Sequence, residues 1–153
     1  MAASQSPRSD LPGTFRFEFD SSNNILLLHL SGTVTPQLVA DIYQDIQQHW
    51  ISTGARADIV DISSVTQVLL HSDLIRGLAK QDHAPELKWR TTVLVTPHPE
   101  TFGLARMFQI TAESKNQTVH VAHTLHEAYA LLGIQSARFQ PLASPSDEGR
   151  RAS

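Results

Sequence analysis

At the middle of the chain lies the stretch Asp58-Ile-Val-Asp-Ile-Ser-Ser-Val-Thr66. Its first half is short and almost continuously apolar, which is typical of a buried strand in a parallel sheet. Its second half is polar, and Ser72, a few residues later, is placed to cap a helix that Pro85 would end. The stretch therefore predicts a central strand over Asp58–Ile62 that leads through a polar segment into a helix.

The residues before this stretch predict a hairpin and a first helix. Phe15–Phe19 alternates apolar and polar side chains, Asp20–Asn24 has turn chemistry, and Ile25–Leu30 is almost continuously apolar. We expect an edge strand followed by a more central one. Thr35 then places a capping hydroxyl before Pro36, and apolar residues recur after it at three- and four-residue spacing.

The residues after the stretch predict two more strands and two more helices. Thr92–Val95 and Thr118–Val121 are short apolar runs of strand type. The helix that follows the first run spans about Pro99–Ser114. Thr124 and Glu127 have the spacing of a capping box and predict the last helix.

The predicted element order is ββαβαβαβα, in one domain over about residues 14–134. Strands that alternate with helices are joined by right-handed crossovers, which favours an α/β fold with a mostly parallel sheet. We therefore predict a single-layer, mixed, mostly parallel five-stranded sheet with four helices. Residues 1–13 and 135–153 lack periodicity and are rich in polar residues and proline, so both segments are predicted to be disordered.

Composition excludes several classes of function. The chain of 153 residues contains no cysteine, which excludes disulfides, thiolate metal sites and a cysteine nucleophile. The formal charge is −3 without a basic cluster, which is unfavourable for binding nucleic acid. No apolar run approaches the roughly 18 residues of a membrane span, and the first residues lack the apolar core of a secretory signal. We expect a cytoplasmic protein that has no membrane span and binds no nucleic acid.

The element order, the domain length and the passage Asp61-Ile-Ser-Ser-Val-Thr66 together resemble the STAS/SpoIIAA-like superfamily. In that superfamily a D-[LI]-S-x-V stretch leaves the central strand and leads to the second helix. The resemblance spans about residues 14–133 and rests mainly on topology. It implies the SpoIIAA/STAS-like arrangement of sheet and helices.

The resemblance implies a role as well as a fold. Anti-sigma-factor antagonists of this superfamily bind a kinase partner and are switched by phosphorylation of a serine in a D-S-S-G stretch. The matching region here, Val68-Leu-Leu-His-Ser-Asp73, contains no D-S-S-G. The chain is therefore more similar to the divergent, largely uncharacterised STAS/SEC14-like branch than to the antagonists.

Polar side chains follow the predicted parallel strands at the end where loops enter helices, which is where open α/β sheets bind ligands. The candidates for an anion or ligand edge are Ser31, Thr33, Thr96, His98 and Thr124. Helix N-termini at the same edge would favour an anion or phosphate group. The same residue types are common as caps and in turns, so both interpretations stay open.

Eight histidines invite the hypothesis of a metal site. His120, His123 and His126 would lie on a strand, in a loop and in the first turn of a helix, so their rings would face different ways. Zinc needs three or four donors that converge at about 2 Å. The chain also lacks H-E-x-x-H, G-x-S-x-G and a glycine-rich phosphate loop. We predict no metal, no cofactor and no catalytic residue.

The helix predicted from Pro99 carries apolar side chains around much of its circumference. Its candidates for an interaction surface are Phe102, Arg106, Met107 and Phe108, with Arg106 at the rim. Gly103 in its interior costs roughly 1 kcal/mol relative to alanine, so we expect another backbone to approach closely there. The helix is either wedged between the sheet and a neighbouring element or available for self-association or a partner.

These patterns predict a non-enzymatic regulatory module that binds a protein partner through the edge after the third strand and the helix from Pro99. Ser63, Ser64 and Ser72 are the candidates for phosphorylation or partner binding. Phosphorylation of any of them would add up to about two negative charges and reshape that surface. A homodimer is compatible with the apolar helix. The alternative is a carrier that holds a small lipid-like or anionic ligand.

Overall fold

The computed structural model describes residues 12–74, 91–113 and 118–143. Its strands are β1 (Thr14–Asp20), β2 (Ile25–Val34), β3 (Ala57–Val68), β4 (Thr91–Val95), β5 (Thr118–Ala122) and β6 (Gln140–Leu142). The helices in those ranges are α1 (Pro36–Thr53), α2 (Pro99–Glu113) and α3 (Leu125–Leu131). Residues 72–74 are also helical, which agrees with a helix start at Ser72. The rest of that predicted helix lies outside the described residues.

The six strands form one mixed, mostly parallel sheet in the order β5-β4-β3-β2-β1-β6. β2, β3, β4 and β5 run parallel to one another. β1 is antiparallel to β2 because the chain reverses in a tight turn, after which Ile25 pairs with Asp20. The predicted α/β class and the predicted hairpin are confirmed.

The prediction of five strands is wrong, because β6 pairs with β1 on its outer side. β1 is therefore not the edge strand that its alternating pattern suggested. Phe139 stacks on Tyr129 with ring centroids 6.1 Å apart, and Leu142 packs against the core. These two contacts hold residues 135–143 on the domain, in a segment predicted to be disordered. The other predicted disordered residues, 1–11 and 144–153, lie outside the described part.

The hydrophobic core has one cluster on each face of the sheet. On the first face, α1 packs its buried Leu38, Ile42, Ile46 and Trp50 against apolar side chains of β1, β2 and β3. On the second face, α3 and the segment after it cover Ile25, Leu27, Ile59, Val93 and Val95. Because side chains alternate along a strand, β2 contributes to both clusters, which explains its almost continuous apolar sequence.

The helix caps follow the predicted chemistry with one difference. Thr35 accepts the N–H of Leu38 at 3.2 Å, and α1 ends at Gly54 in the left-handed conformation. Thr124 accepts the N–H of Glu127 at 3.1 Å, as a capping box requires. The Glu127 carboxylate, however, accepts from the N–H of His123 at 2.8 Å, one residue before the cap.

β2 and β3 extend beyond the rest of the sheet. β4 pairs with β3 only as far as Asp61, and β1 pairs with β2 only as far as Ser31. Beyond these points Ser31–Val34 and Ser64–Val68 pair with each other, with two register shifts. Gly32 has φ 78°, which a glycine adopts without strain, and this allows the irregular pairing. We call this two-stranded extension the arm.

The arm corrects part of the sequence interpretation. Ser31, Thr33, Ser63 and Ser64 were expected in loops after short strands, but the structure places them within β2 and β3. The strands continue because Val34, on β2, is buried beneath α1. The polar run Ser31-Gly-Thr33 is therefore part of β2 and not a loop.

Both outermost strands have a local feature at their free side. On β5, the carbonyl oxygen of Val119 accepts a hydrogen bond from the Gln109 side chain of α2 at 2.7 Å. On β6, the central residue is Pro141, which has no N–H. In the described residues, no helix is both long and apolar enough to cross a membrane.

Candidate functional site

Three ionisable side chains lie side by side on the face of the sheet that α3 covers. Glu18 is on β1, His29 on β2 and Asp61 on β3, and His29 is directly opposite Asp61 in the register. Their side chains are 18, 17 and 10% exposed, respectively. All three therefore lie at the boundary between the core and solvent.

Both ring nitrogens of His29 face carboxylate oxygens. Nε2 lies 2.7 Å from Oε2 of Glu18, and Nδ1 lies 3.2 Å from Oδ2 of Asp61. An ionised carboxylate can only accept hydrogen bonds, so each nitrogen must carry a proton for both contacts to be hydrogen bonds. The arrangement is complete only when His29 is an imidazolium.

Asp61 continues these contacts towards the arm. Its Oδ1 accepts the N–H of Ser63 at 3.0 Å and the hydroxyl of Ser63 at 2.6 Å. The carbonyl oxygen of Ser63 lies 3.1 Å from Nε2 of His98, in the loop before α2. We call Glu18, His29, Asp61, Ser63 and His98 the polar chain. It connects β1, β2 and β3 to the start of α2.

The surroundings of the polar chain shift two pKa values. Burial raises the pKa of Asp61, but hydrogen bonds from His29 and Ser63 outweigh this and hold the pKa below its ordinary value. Burial raises the pKa of Tyr129 on α3, and the negative charges of Glu18 and Asp61 raise it further. Asp61 is thus ionised at neutral pH, and the Tyr129 phenol is protonated.

The predicted ligand residues after β4 are bonded to one another. Thr96 is fully buried, and its hydroxyl contacts the hydroxyl of Thr101. The Thr96 hydroxyl oxygen also lies 3.3 Å from the backbone N–H of His98, which donates to it. Thr101 in turn donates to the His98 carbonyl at 3.2 Å. These groups close the turn that begins α2.

The other predicted ligand residues are also engaged within the chain. The hydroxyls of Ser31 and Thr14 are 2.6 Å apart. Thr124 caps α3, and Thr33 is half-buried and has an interaction of its own. The five predicted residues therefore lie at one end of the sheet, but each has a partner there. Thr96, His98 and Thr124 act as cap and turn residues, whereas Ser31 and Thr33 lie within β2.

The three candidate serines differ in accessibility. Ser63 is half-buried and its hydroxyl is held by Asp61. Ser64 and Ser72 are exposed. Leu69 lies between them in the sequence and is 51% exposed. Its N–H donates to the Val34 carbonyl at 2.8 Å, and this hydrogen bond closes the arm. An exposed apolar side chain thus directly follows the arm, and in the sequence it lies between two serines with accessible hydroxyls.

α2 is half-buried rather than apolar on all sides. The Phe102 ring stacks on His123 with centroids 4.7 Å apart and an interplanar angle of 13°. Met107 is half-buried, and Arg106 is exposed. The side chain of Phe108 lies outside the described part. Ile110 is 62% exposed, so one apolar side chain of α2 faces solvent.

Among the described residues, no backbone approaches Gly103 as closely as expected. A Cβ built at this position would meet nothing within 4 Å in the described structure, and Gly103 is exposed. The glycine therefore has no packing role that the described residues reveal.

No group of three histidine, aspartate or glutamate side chains is arranged as metal ligands within residues 12–74, 91–113 and 118–143. His123 stacks on Phe102, and its Nδ1 lies 3.6 Å from Glu127. His120 is half-buried on β5 and His126 is exposed on α3. The three histidines thus have separate surroundings.

A second set of polar groups is buried on the face that α1 covers. Asp45 and Asp58 are both buried, and Asp58 accepts the hydroxyl of Thr92 at 2.6 Å. Burial and the charge of Asp58 raise the pKa of Tyr43 to about 12. These groups join α1 to β3 and β4 in the interior.

Sequence reasoning missed Glu18 and His29. Each is a single ionisable residue between apolar neighbours in a strand, in Phe-Glu-Phe and Leu-His-Leu. Period-two alternation assigns Glu18 to the face opposite Phe17, and the hairpin brings it beside His29. That pattern was available as a signal, although the contact also depends on the register.

An open cleft of about 410 Å³ lies at the opposite end of the sheet. Its lining residues are Ser22, Asn23, Gly133, Gln135, Ser136 and Arg138. Arg138 is the lining residue with a formal charge, and its guanidinium has no hydrogen bond or ion pair within the described structure. The cleft is therefore polar and carries a positive charge.

No family model matches this chain, and no curated protein matches it either.

Proposed function

We propose that the protein is a non-enzymatic regulatory module of the STAS/SpoIIAA-like superfamily, which binds a protein partner at the arm. The superfamily proposal is supported by the alternation of strands and helices and by the single antiparallel hairpin at the start of the sheet. β6 is an addition to the arrangement that the resemblance implied.

The partner surface consists of Ser64, at the base of the arm, and of Leu69 and Ser72, which follow the end of the arm in the sequence. The observation that carries the proposal is the exposure of Leu69, at 51%, on a segment that extends beyond its neighbouring strands. Protein interfaces bury apolar side chains at their centre within a polar rim, and an exposed leucine is suited to such a position. The contact between His98 and Ser63 brings the start of α2 next to this surface.

Two arrangements support a non-enzymatic role. The Ser63 hydroxyl donates to Asp61, whereas an activated serine would donate to its general base, usually a histidine. Both ring nitrogens of His29 face carboxylates rather than a nucleophile or an open site. Neither residue is arranged as half of a nucleophile–base pair.

The test compares two leucines of equal exposure. Leu69→Asp at the arm and Leu131→Asp on α3 each place a charge at a side chain that is about half exposed, at 51 and 49%. In quantitative pull-downs with the full chain, Leu69→Asp should reduce partner recovery at least about tenfold, which corresponds to about 1.4 kcal/mol. Leu131→Asp should retain the partners. Equal recovery with both variants, each shown to be folded by circular dichroism, would contradict the proposal.

Phosphorylation at this surface has its own test. A Ser64→Asp, Ser72→Asp double variant adds negative charge at the two exposed hydroxyls, and its Ser→Ala counterpart is the control. We expect the aspartates to change partner recovery and the alanines to leave it unchanged. If the aspartate and the alanine variants bind the same partners equally, phosphorylation does not regulate this surface. That result would leave the proposed interface itself untouched.

The cleft favours a second candidate function, a carrier for a small anionic ligand. Its support is the Arg138 guanidinium, which has no hydrogen bond or ion pair to any described residue and whose planar donors suit carboxylate and phosphate groups. Isothermal titration with inorganic phosphate and with citrate tests it. Binding that Arg138→Gln abolishes and Arg106→Gln preserves would support the carrier. Equal heats for both variants would exclude this site.

A further inference from the structure

The polar chain contains a group whose contacts depend on its proton count. His29 forms both of its hydrogen bonds only as an imidazolium, because Glu18 and Asp61 can only accept. Histidine is the side chain that ordinarily changes its charge between about pH 5 and 8. The loss of one proton from this ring must remove one of the two contacts.

We propose that Glu18, His29 and Asp61 form a proton-operated switch that sets the position of Ser63 and His98 at the base of the arm. As regulation of the partner surface, the switch rests on the proposed function. As a property of the free protein, it does not depend on any partner.

Within the described ranges, the groups that face His29 come from three elements. From β1, Glu18 contacts the ring, and the exposed Arg16 is opposite His29 in the register. From β3, Asp61 contacts the ring. From α3, Tyr129 lies close enough to be affected by the charges of Glu18 and Asp61. The two carboxylates contact the ring directly, whereas the Arg16 guanidinium is exposed.

The two contacts of His29 differ in length, and this difference predicts which ring nitrogen loses its proton. The Glu18 contact is 2.7 Å and the Asp61 contact is 3.2 Å. A neutral ring keeps the proton in the shorter and stronger hydrogen bond, at Nε2. Nδ1 then turns a lone pair towards the ionised Asp61, and the attraction becomes a repulsion.

The change at Asp61 reaches the arm through covalent and hydrogen bonds. Asp61 remains tied to the N–H and the hydroxyl of Ser63, so a movement of its carboxylate moves Ser63. The Ser63 carbonyl accepts from His98, at the start of α2. His98 needs only a proton on Nε2 for this bond and keeps it as a neutral ring. Of the two imidazoles in the polar chain, His29 is therefore the one whose contacts require a proton on both ring nitrogens.

Nuclear magnetic resonance of the free, full-length protein tests the switch directly. Long-range proton–nitrogen spectra of the imidazole rings give the protonation of His29 as a function of pH. We expect two protons on the His29 ring at low pH and one, on Nε2, at high pH. The amide resonance of Ser63 should shift with the same midpoint.

Variants separate the switch from other titrations. His29→Gln should abolish the Ser63 shift in the histidine range, and His126→Gln, at an exposed ring on α3, should leave it unchanged. If His29→Gln does not fold, Glu18→Gln replaces it and should lower the midpoint of both resonances together. A His29 ring with one proton throughout, or a Ser63 amide that does not follow it, would overturn the switch. Loss of partner binding in Leu69→Asp, with or without these shifts, tests the proposed function separately.

Discussion

Replacement of Asp20 by asparagine tests how the turn after β1 is held to the end of the domain. Asp20 is fully buried. Its Oδ1 accepts the N–H groups of Ser22 at 2.9 Å and Asn23 at 3.1 Å. Its Oδ2 accepts the Asn23 side chain at 2.7 Å and the N–H of Arg138 at 3.0 Å. One carboxylate thus joins the hairpin turn to the segment before β6.

Asparagine keeps the shape of the side chain but replaces one acceptor oxygen by a donor. The two bonds at Oδ2 are lost, and a hydrogen bond to a charged group contributes about 1.5–3 kcal/mol, so Asp20→Asn should cost about 3–6 kcal/mol. With a urea m-value of about 2 kcal/mol/M, the midpoint should fall by about 1.5–3 M. Urea unfolding followed by tryptophan fluorescence and circular dichroism measures the change.

Asp41→Asn is the matched control, because Asp41 lies at the surface of α1 and pairs with Gln37. Its effect should stay within about 0.5 kcal/mol. Burial raises the pKa of Asp20, but its hydrogen bonds outweigh burial and lower it overall. The stabilisation by Asp20 is therefore present above the pKa of the unfolded chain, near 4, and is lost as pH falls through the lower folded value. Equal midpoints for the two variants at neutral pH would refute this account.

Three further predictions concern helices and a half-buried phenol. Gly103→Ala should raise the free energy of unfolding by up to about 1 kcal/mol, whereas Gly54→Ala, at φ 64°, should lower it by about 1 kcal/mol. Thermal unfolding of the two variants measures both changes. A loss of stability in Gly103→Ala together with a gain in Gly54→Ala would contradict the backbone conformations and packing described. Thr35→Ala removes the α1 cap and should cost about 1 kcal/mol in urea unfolding, most of which Thr35→Ser should restore. Burial, then the charge of Asp58, raises the pKa of Tyr43 to about 12. The stability it contributes is present below about pH 10 and falls between about pH 10 and 12, as the unfolded chain ionises first. Absorbance titration with Tyr43→Phe as reference measures this, and an ordinary phenol titration near pH 10 would contradict it.

The elements that hydrophobic periodicity marks strongly could be predicted from the sequence. α1 has apolar residues at helical spacing and a proline after its cap, and it begins at Pro36 as predicted. β6 could not be found in this way, because its three residues are too short for a period and include Pro141. Its position depends on Phe139 and Leu142, which contact residues distant in the chain.

Part of the candidate site could also be predicted from the sequence, namely the residues that follow strands. Ser63 and His98 follow apolar strands, and strand ends at one edge of a parallel sheet meet in space. Their contact with each other is therefore a consequence of topology. Glu18 and His29 lie inside strands, where the partner of a side chain depends on register rather than on position along the chain. The diagonal contact between them needs the hairpin pairing before it can be seen.

The features at the two sides of the sheet bear on how copies of this chain can associate. Exposed strand edges invite another chain to continue the sheet, which is a common route to aggregation. At β6 the missing N–H of Pro141 removes a donor from the outer strand, and at β5 the side chain of Gln109 occupies the carbonyl of Val119. Both outermost strands are thus poor templates for strand addition. At these two strands, a homodimer would therefore have to form through side-chain packing and not through a continuous sheet.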